Sequence, residues 1–492
     1  MARVNTSDTP RRGVFACLAG ALGSVVFPGI GHLAIRARLR RPVIVAAVID
    51  AIAAASLIAI LARVSSRSDL ADIIADRTVF VGIAVGLATM TATRLWAAMD
   101  AAWQARPHDD SLQAGAIFLA SLVAIGGVAP LAISSIYVWE TDRAVERVFS
   151  DSEATTAEPS PLTTTTIPSS TTPSSTATSV LVDDTTPPTS TAPPTTTPPP
   201  FEGTERVNVL LLGGDAGADR WSLRTDSMIV VSVDPVTGYT AMISVPRNLH
   251  RLPFPNGTEL AEAFPDGFTD IANAVYTYVD AHRELAGGGD SAGAQAIKLG
   301  IAQLLGIPIH YYVLVDMAGF VDVVDAIGGI DIFVAKRVPS ALNPPGSKHP
   351  VPDWYEVGEQ HMDGTLALGY ARSRRVDSDY SRMARQRCVL AGIAEAATPR
   401  AIATGLTDLV GAFGDSVRSD IPRDRLGELA QLMELYSQAG GLTAVHTLHL
   451  APPLVDPVVW DASEVRSYAL AVLTPGSEIG GTPPPLLSEE CG

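Results

Sequence analysis

Residues 206–215 read Arg-Val-Asn-Val-Leu-Leu-Leu-Gly-Gly-Asp, an apolar run closed by two glycines and an acid. A run of this length bounded by turn residues predicts a buried strand over 207–212, and the glycines let the backbone at its end approach a ligand closely. Two more strands are expected at 228–233 and 240–245, joined by a turn that carries Pro235 and Gly238. Helical patterns follow at 292–305 and 317–327, with strands at 311–315 and 330–334 between and after them. Further helices are expected at 381–397 and 423–437. Strands alternating with helices predict an α/β domain whose sheet is covered on both faces.

The first third of the chain differs in kind. Segments 43–61, 79–99 and 114–138 are apolar, Arg94 excepted, and each is close to the ~20 residues that cross a hydrocarbon core. Segment 14–35 is also apolar but is broken by Pro28, Gly29 and Gly31. It reads either as a fourth span or as a re-entrant or interfacial hairpin. Arg36, Arg38, Arg40 and Arg41 form the densest cationic cluster and mark the cytoplasmic side. Three crossings after that loop place everything beyond Trp139 outside the cell. From about 150 to 200 the chain is Ser, Thr and Pro with hardly a bulky residue. Such a stretch cannot offset its ordering entropy by burial, so it is expected as an extended, disordered stalk. At ~3.1 Å per residue it would reach on the order of 100 Å and hold the domain away from the bilayer. The expected organisation is a membrane region over 1–140, a Ser/Thr/Pro-rich extracellular linker over 141–205, a catalytic domain over 206–475 and a tail over 476–492.

A formal net charge of −17 excludes general nucleic-acid binding, because no basic stripe is available to neutralise phosphates. Any anionic ligand must be held by a few focused cations. Cys388 and Cys491 fall in the part placed outside the cell, where disulfides persist. They read either as a bridge or as two thiols, and no Cys/His spacing suggests zinc.

The charged residues of the domain fall into short strings. Asp215 follows the first strand, a ligand position in many sheets and an ordinary turn in many others. Arg224 and Asp226 (LRTDSM) stand two apart before the second strand, so in an extended chain they face one way; a local salt bridge shows the same spacing. Two carboxylates bracketing adjacent strand ends, Asp215 and Asp226, suit Mg²⁺, which takes oxygen ligands, waters and substrate phosphates. Arg247 (SVPRN) follows the third strand, its exit direction set by Pro246. Arg372 and Arg374 (YARSR) are again two apart and read as one face of an extended segment. With Arg247 they form a candidate phosphate clamp, since each guanidinium binds oxygens bidentately; alone they are an unremarkable surface pair. Arg382, Arg385 and Gln386 (SRMARQR) share one face near the start of a helix, where the dipole favours anions. A plain amphipathic helix has that spacing too.

The order of these strings resembles the LytR-CpsA-Psr family. The strings that carry the likeness are LLLGGD, LRTDSM, SVPRN, NAVY at 273–276, the run from Leu304 to Ile332, ALGYARSR and RMARQR, covering roughly 206 to 390. The resemblance implies a central mixed sheet flanked by helices, with the lipid tail of a polyprenyl-pyrophosphate-linked glycan in an apolar cleft between them. It implies Mg²⁺ on Asp215 and Asp226, with phosphate contacts from Arg224, Arg247, Arg372, Arg374, Arg382, Arg385 and Gln386. The implied reaction is attack of a peptidoglycan muramyl hydroxyl on the glycan-proximal phosphorus, with polyprenyl phosphate leaving. Two positions depart from the family: Asn248 replaces the acid of its Pro-Arg-Asp string, and Ile271 stands where a lysine is common. The first is expected to loosen Arg247 and the second to remove a phosphate contact. A pyrophosphatase, in which water attacks, and a non-catalytic glycolipid-binding regulator of wall assembly use the same residues.

Overall fold

The computed structural model describes residues 9–491 apart from 38, 64–66, 108–109, 150–154, 162–200, 202, 216–222, 342–346, 375–378, 399–400, 403–404, 406–407 and 410–415. The expected polar stalk lies mostly outside the described residues.

Six helices build the N-terminal region: α1 (Thr9–Val26), α2 (Ile30–Ala34), α3 (Arg41–Leu61), α4 (Arg67–Ala75), α5 (Arg77–Gln104) and α6 (Asp110–Val148). Arg41–Leu61, Arg77–Gln104 and Leu112–Val148 are long and apolar enough to cross a membrane. The segment around Pro28 folds as a helical hairpin. The chain turns at Gly29, whose φ of 99° suits glycine, and α2 lies so close to α1 that a Cβ on Gly31 would overlap the Gly20 carbonyl. Two polar pairs lie within the bundle: Arg94 Nε donates to Asp50 Oδ1 at 3.0 Å, and His32 Nε2 lies 2.8 Å from Asp100 Oδ2.

The domain is built on strands β1 (Val207–Gly214), β2 (Thr225–Val233), β3 (Thr240–Ser244), β4 (Tyr311–Val315), β5 (Ile330–Val334), β6 (Val338–Pro339), β7 (Trp354–Tyr355), β8 (Gly358–Met362), β9 (Val417–Ser419) and β10 (Val445–His449). Six of them form a mixed sheet in the order β10-β3-β2-β1-β4-β9. The β1–β2, β2–β3 and β4–β9 pairs are antiparallel, and β1–β4 and β3–β10 are parallel.

Alternation along the strands sorts the core. Leu210, Leu212, Met228, Val230 and Ile243 face one apolar cluster, covered by α8 (Val275–Ala281) and α9 (Ala292–Leu305). Ile229, Met242 and Val445 face another with Ala391 and Tyr436. The helices there are α12 (Asp379–Ala396) and α13 (Leu426–Gln438), which follow α10 (Met317–Ala326) and α11 (Gly364–Arg372). Both faces are thus covered.

Two expectations change. Residues 476–492 are no loose tail: they carry the helix Leu487–Cys491, Leu487 is fully buried, and Cys491 is bonded to Cys388. The chain flanking residues 162–200 also sits on the domain. Ala157 pairs with Ile309, Lys298 Nζ donates to the Thr155 carbonyl at 2.8 Å, and Phe201 packs with Val207, Tyr311 and Leu432. Phe149, just past α6, joins that same cluster. The domain therefore seats directly on the helices. Arg423 donates to the Ile74 carbonyl at 3.1 and 2.9 Å and pairs with Asp142 of α6 at 2.7 Å, both side chains 5 % exposed. Below it, α4 packs on α13, and a Cβ on Gly427 would overlap Asp72.

Removing one partner of a buried pair leaves the other charge desolvated and costs ~3–5 kcal/mol. Arg423→Ala should therefore raise hydrogen exchange across α4 and α13 while the β1–β2–β4 amides stay protected. Unchanged exchange in α4 would show that this pair does not seat the domain.

Candidate active site

The end of β1 and the start of β2 lie side by side, with Gly214 opposite Thr225 after a register shift at Gly213/Gly214. Asp215 closes the loop between them. Its N–H donates to the Arg224 carbonyl at 3.0 Å, and its Oδ1 accepts from the Arg224 N–H at 2.8 Å. The sequence placed both carboxylates here, and the sheet register puts them here.

Asp226, one residue into β2, is the point of convergence. Arg247 Nη1 donates to its Oδ1 at 2.8 Å, and Asn273 Nδ2 reaches the same oxygen at 3.3 Å. Arg374 Nη2 donates to Oδ2 at 3.4 Å. Arg382 Nη1 stands 3.9 Å from Oδ2, while its Nη2 donates to the Asp226 carbonyl at 3.2 Å. Burial alone would raise the Asp226 pKa. The Arg247 hydrogen bond and charge, with Arg382 and Asn273, outweigh it and hold the carboxyl below its usual range. Three guanidiniums around one carboxylate leave a local excess of positive charge in a chain of net charge −17. Such an excess attracts anions.

The other predicted residues are placed differently. Arg372 and Arg374 are not one face of an extended segment: Arg372 ends α11, capped at its start by Asp363, and only Arg374 lies beyond the helix. The Arg372 guanidinium lies against the Met317 sulfur. Beside it Met317, Val321 and Leu368 form a small apolar cluster with Phe320. Arg385 is buried, donates to the Ser373 carbonyl and lies 5.9 Å from the Tyr370 ring, so it fixes the bend between Arg372 and Arg374. Gln386 is half-buried on α12, and Arg224 is exposed at the rim.

Asn248 is half-buried beside Arg247, whose guanidinium bonds Asp226. Ile271 forms an isolated bridge with His250 and carries no charge.

Sequence reasoning passed over two residues. Asn273, almost fully buried, supports the Asp226 carboxylate and anchors Arg247 through its own N–H at 3.1 Å to the Arg247 carbonyl. It was visible only as one letter of NAVY. Arg387 is fully buried, donates to Ser244 Oγ at 2.8 Å and pairs with Glu490 beside the disulfide. Burial pushes the Arg387 guanidinium down. Burial would also raise the Glu490 carboxyl, but His449 and Arg387 hold it down at about 2.

Magnesium can be tested against the donors present. Among the described residues there is no group of three or more His, Cys, Asp or Glu side chains placed to hold a metal. The Asn273 Oδ1, however, is buried beside Asp226 without a hydrogen-bond partner. With the Asp215 and Asp226 carboxylates this makes an all-oxygen donor set. Oxygen donors of this kind are the type that magnesium takes.

The chain matches the LytR_cpsA_psr family over residues 169–451, more than half its length. The chain belongs to the LytR-CpsA-Psr family. Among curated relatives, "Polyisoprenyl-teichoic acid--peptidoglycan teichoic acid transferase TagU" of Bacillus cereus (strain AH820) is 29% identical over 46% of this chain and 64% of that protein. The protein of the same name in Halalkalibacterium halodurans is 29% identical over 45% and 63%. The chain thus spans less than two thirds of these relatives. Bacillus subtilis TagV, a solved structure, is 25% identical with a TM-score of 0.40, over 55% of this chain and 96% of that one. The LytR-CpsA-Psr match contains every arginine that reaches Asp226.

A carboxylate held low stabilises the fold fully above its unfolded pKa, near 4, and that contribution is lost as pH falls through the depressed folded value. Arg247→Ala removes the strongest partner of Asp226. The acid limb of a melting-temperature profile should then move up towards pH ~4. An acid limb that stays in place would show that Arg247 does not hold the carboxylate.

Proposed function

We propose that the domain transfers a glycopolymer from a polyprenyl-pyrophosphate carrier to peptidoglycan through a phosphodiester link, releasing polyprenyl phosphate. The observation that carries this reading is the convergence of Arg247, Arg374 and Arg382 on Asp226. The names of the curated relatives describe the same class of transfer. A pyrophosphate is the dianionic group that such a cluster suits, because each guanidinium fork donates to two oxygens.

The residues divide the work. Asp226 keeps the guanidiniums together before substrate arrives. Arg374 has the longest hydrogen bond to it and is the most exposed of the three, so it exchanges carboxylate for phosphate most readily. Arg247 and Arg382 stay anchored and supply fixed positive charge to the equatorial oxygens. That is how preorganised donors act in phosphoryl transfer. A carboxyl held this low is a poor general base, so Asp226 acts by position. Asp215, Asp226 and Asn273 Oδ1 would hold Mg²⁺, which would neutralise charge on the diphosphate. Arg372, Arg224, Arg385 and Gln386 border this centre.

The domain works outside the cell on a multi-pass anchor: Arg36, Arg40 and Arg41 precede α3 on the cytoplasmic side, and the three long helices carry the chain across. The Cys388–Cys491 bridge suits an oxidising compartment.

Full-length protein in detergent, given polyprenyl-pyrophosphoryl glycan, Mg²⁺ and peptidoglycan, should yield glycan covalently attached to peptidoglycan. Free phosphorylated glycan would mean a pyrophosphatase, and untouched donor a binding protein. Arg374→Ala should lower turnover by about 100-fold or more, as removal of a single charge-stabilising donor does, without changing the melting temperature. Full activity in that variant would remove the clamp.

A further inference from the structure

A ribbon of chain leads away from the arginine cluster. Residues 247–252 run alongside 268–273, joined by Asn273 N–H to the Arg247 carbonyl (3.1 Å), Ala272 to Leu249 (2.8 Å) and Phe268 to Leu252 (2.9 Å). One end of the ribbon is the phosphate site. The other opens on a cavity of about 490 Å³ whose walls include Phe254, Phe264, Trp460, Arg251, Asn256 and Asp266. Three residues separate Arg247 from Arg251, and the chain turns between them where the Leu249 N–H donates to the Pro246 carbonyl at 3.0 Å.

This cavity is a built feature. Arg251 has φ 54°, the left-handed region that a non-glycine residue occupies at a cost and that clusters at ligand sites. It is held there by its neighbours. The Arg251 Nη2 donates to the Val458 carbonyl at 3.3 Å. Gly267, with φ 84°, packs on Arg251 so closely that a Cβ would overlap the Arg251 carbonyl. Trp460 is fixed by its Nε1, which donates to the His250 carbonyl at 2.9 Å. That leaves its indole as cavity wall.

The wall chemistry selects the ligand. The half-buried rings of Phe264 and Trp460 offer flat apolar surface, with buried Phe254 behind Phe264, and the exposed Arg251, Asn256 and Asp266 offer donors and acceptors at the rim. Asp266 and Asp461 outnumber Arg251 among the charged groups, so a second phosphate is disfavoured. A sugar ring has the matching two-sidedness: an apolar C–H face and a rim of uncharged hydroxyls.

We propose that the cavity between Trp460 and Arg251 is a saccharide subsite, which binds a neutral sugar unit of a glycan whose reacting end lies at the arginine cluster. This rests on the transferase reading, with either glycan substrate, donor or acceptor, as the source of the sugar.

The test uses the full chain in detergent and reads binding without turnover. The two probes are an N-acetylglucosaminyl–N-acetylmuramic acid tetrasaccharide and short neutral oligosaccharides cut from wall glycopolymer. Calorimetry should show one of them binding the wild type, with affinity at least tenfold lower in both Asp266→Ala and Arg251→Gly. Arg251→Gly relieves the positive φ, so its melting temperature should equal or exceed that of the wild type. Weakened binding in a protein that is no less stable cannot be a folding effect. Loss confined to the tetrasaccharide assigns the acceptor, and loss confined to the glycopolymer fragments assigns the donor. Binding in a preparation that transfers nothing would sink the transferase reading and keep the subsite. Binding of neither probe, or binding indifferent to both substitutions, overturns it.

Discussion

Arginines from three separate stretches of chain cannot share a few ångströms without an anion between them, and before any ligand arrives that anion is the Asp226 carboxylate. Its position is not adjustable. Asp226 is one residue into β2, at the register shift opposite Gly213/Gly214, between Thr225 and Ser227, which both pair with β1. The sheet register therefore decides where the carboxylate stands, and the carboxylate decides where Arg247, Arg374 and Arg382 stand. Asn273 completes the support from a short helical turn, with one contact to the carboxylate and one to the Arg247 backbone. A cluster assembled in this way loses little freedom when it meets phosphate, and that is the condition under which fixed charges stabilise a transition state more than a ground state.

Much of this was legible because the strands are apolar runs bounded by turn residues. The expected strands 311–315 and 330–334 and helix 292–305 coincide with β4, β5 and α9. The stretch ending at Arg372 misled because its glycines and short side chains weaken the helical signal. Yet Asp363 caps the helix through the Leu366 N–H at 2.9 Å, and Ala367, Leu368 and Ala371 keep a buried face. Gly369 is there for packing, since a Cβ would overlap the Tyr355 hydroxyl. Asn273 and Arg387 were illegible for a different reason: their roles depend on partners 47 and 103 residues away, Asp226 and Glu490. No local pattern encodes such distances.

The same limit explains the spacer. Composition shows that a Ser/Thr/Pro tract has nothing with which to form a core. It does not show where the tract's two ends attach. Those attachments are made by backbone pairing at Ala157–Ile309, the Lys298 ammonium on Thr155 and the Phe201 ring in an apolar cluster. Each joins positions far apart in sequence. Arg423 and Asp142 tie α6 to the domain in the same way, across 281 residues of sequence.

The acidity of the chain then becomes part of the selection. A net charge of −17 opposes polyanions at long range, but charges farther than the Debye length, ~8 Å at physiological salt, are largely screened. Within that distance of Asp226 the guanidiniums prevail. Focusing the cations on one partly buried carboxylate, rather than spreading them over a basic face, thus keeps a positive site within an acidic chain.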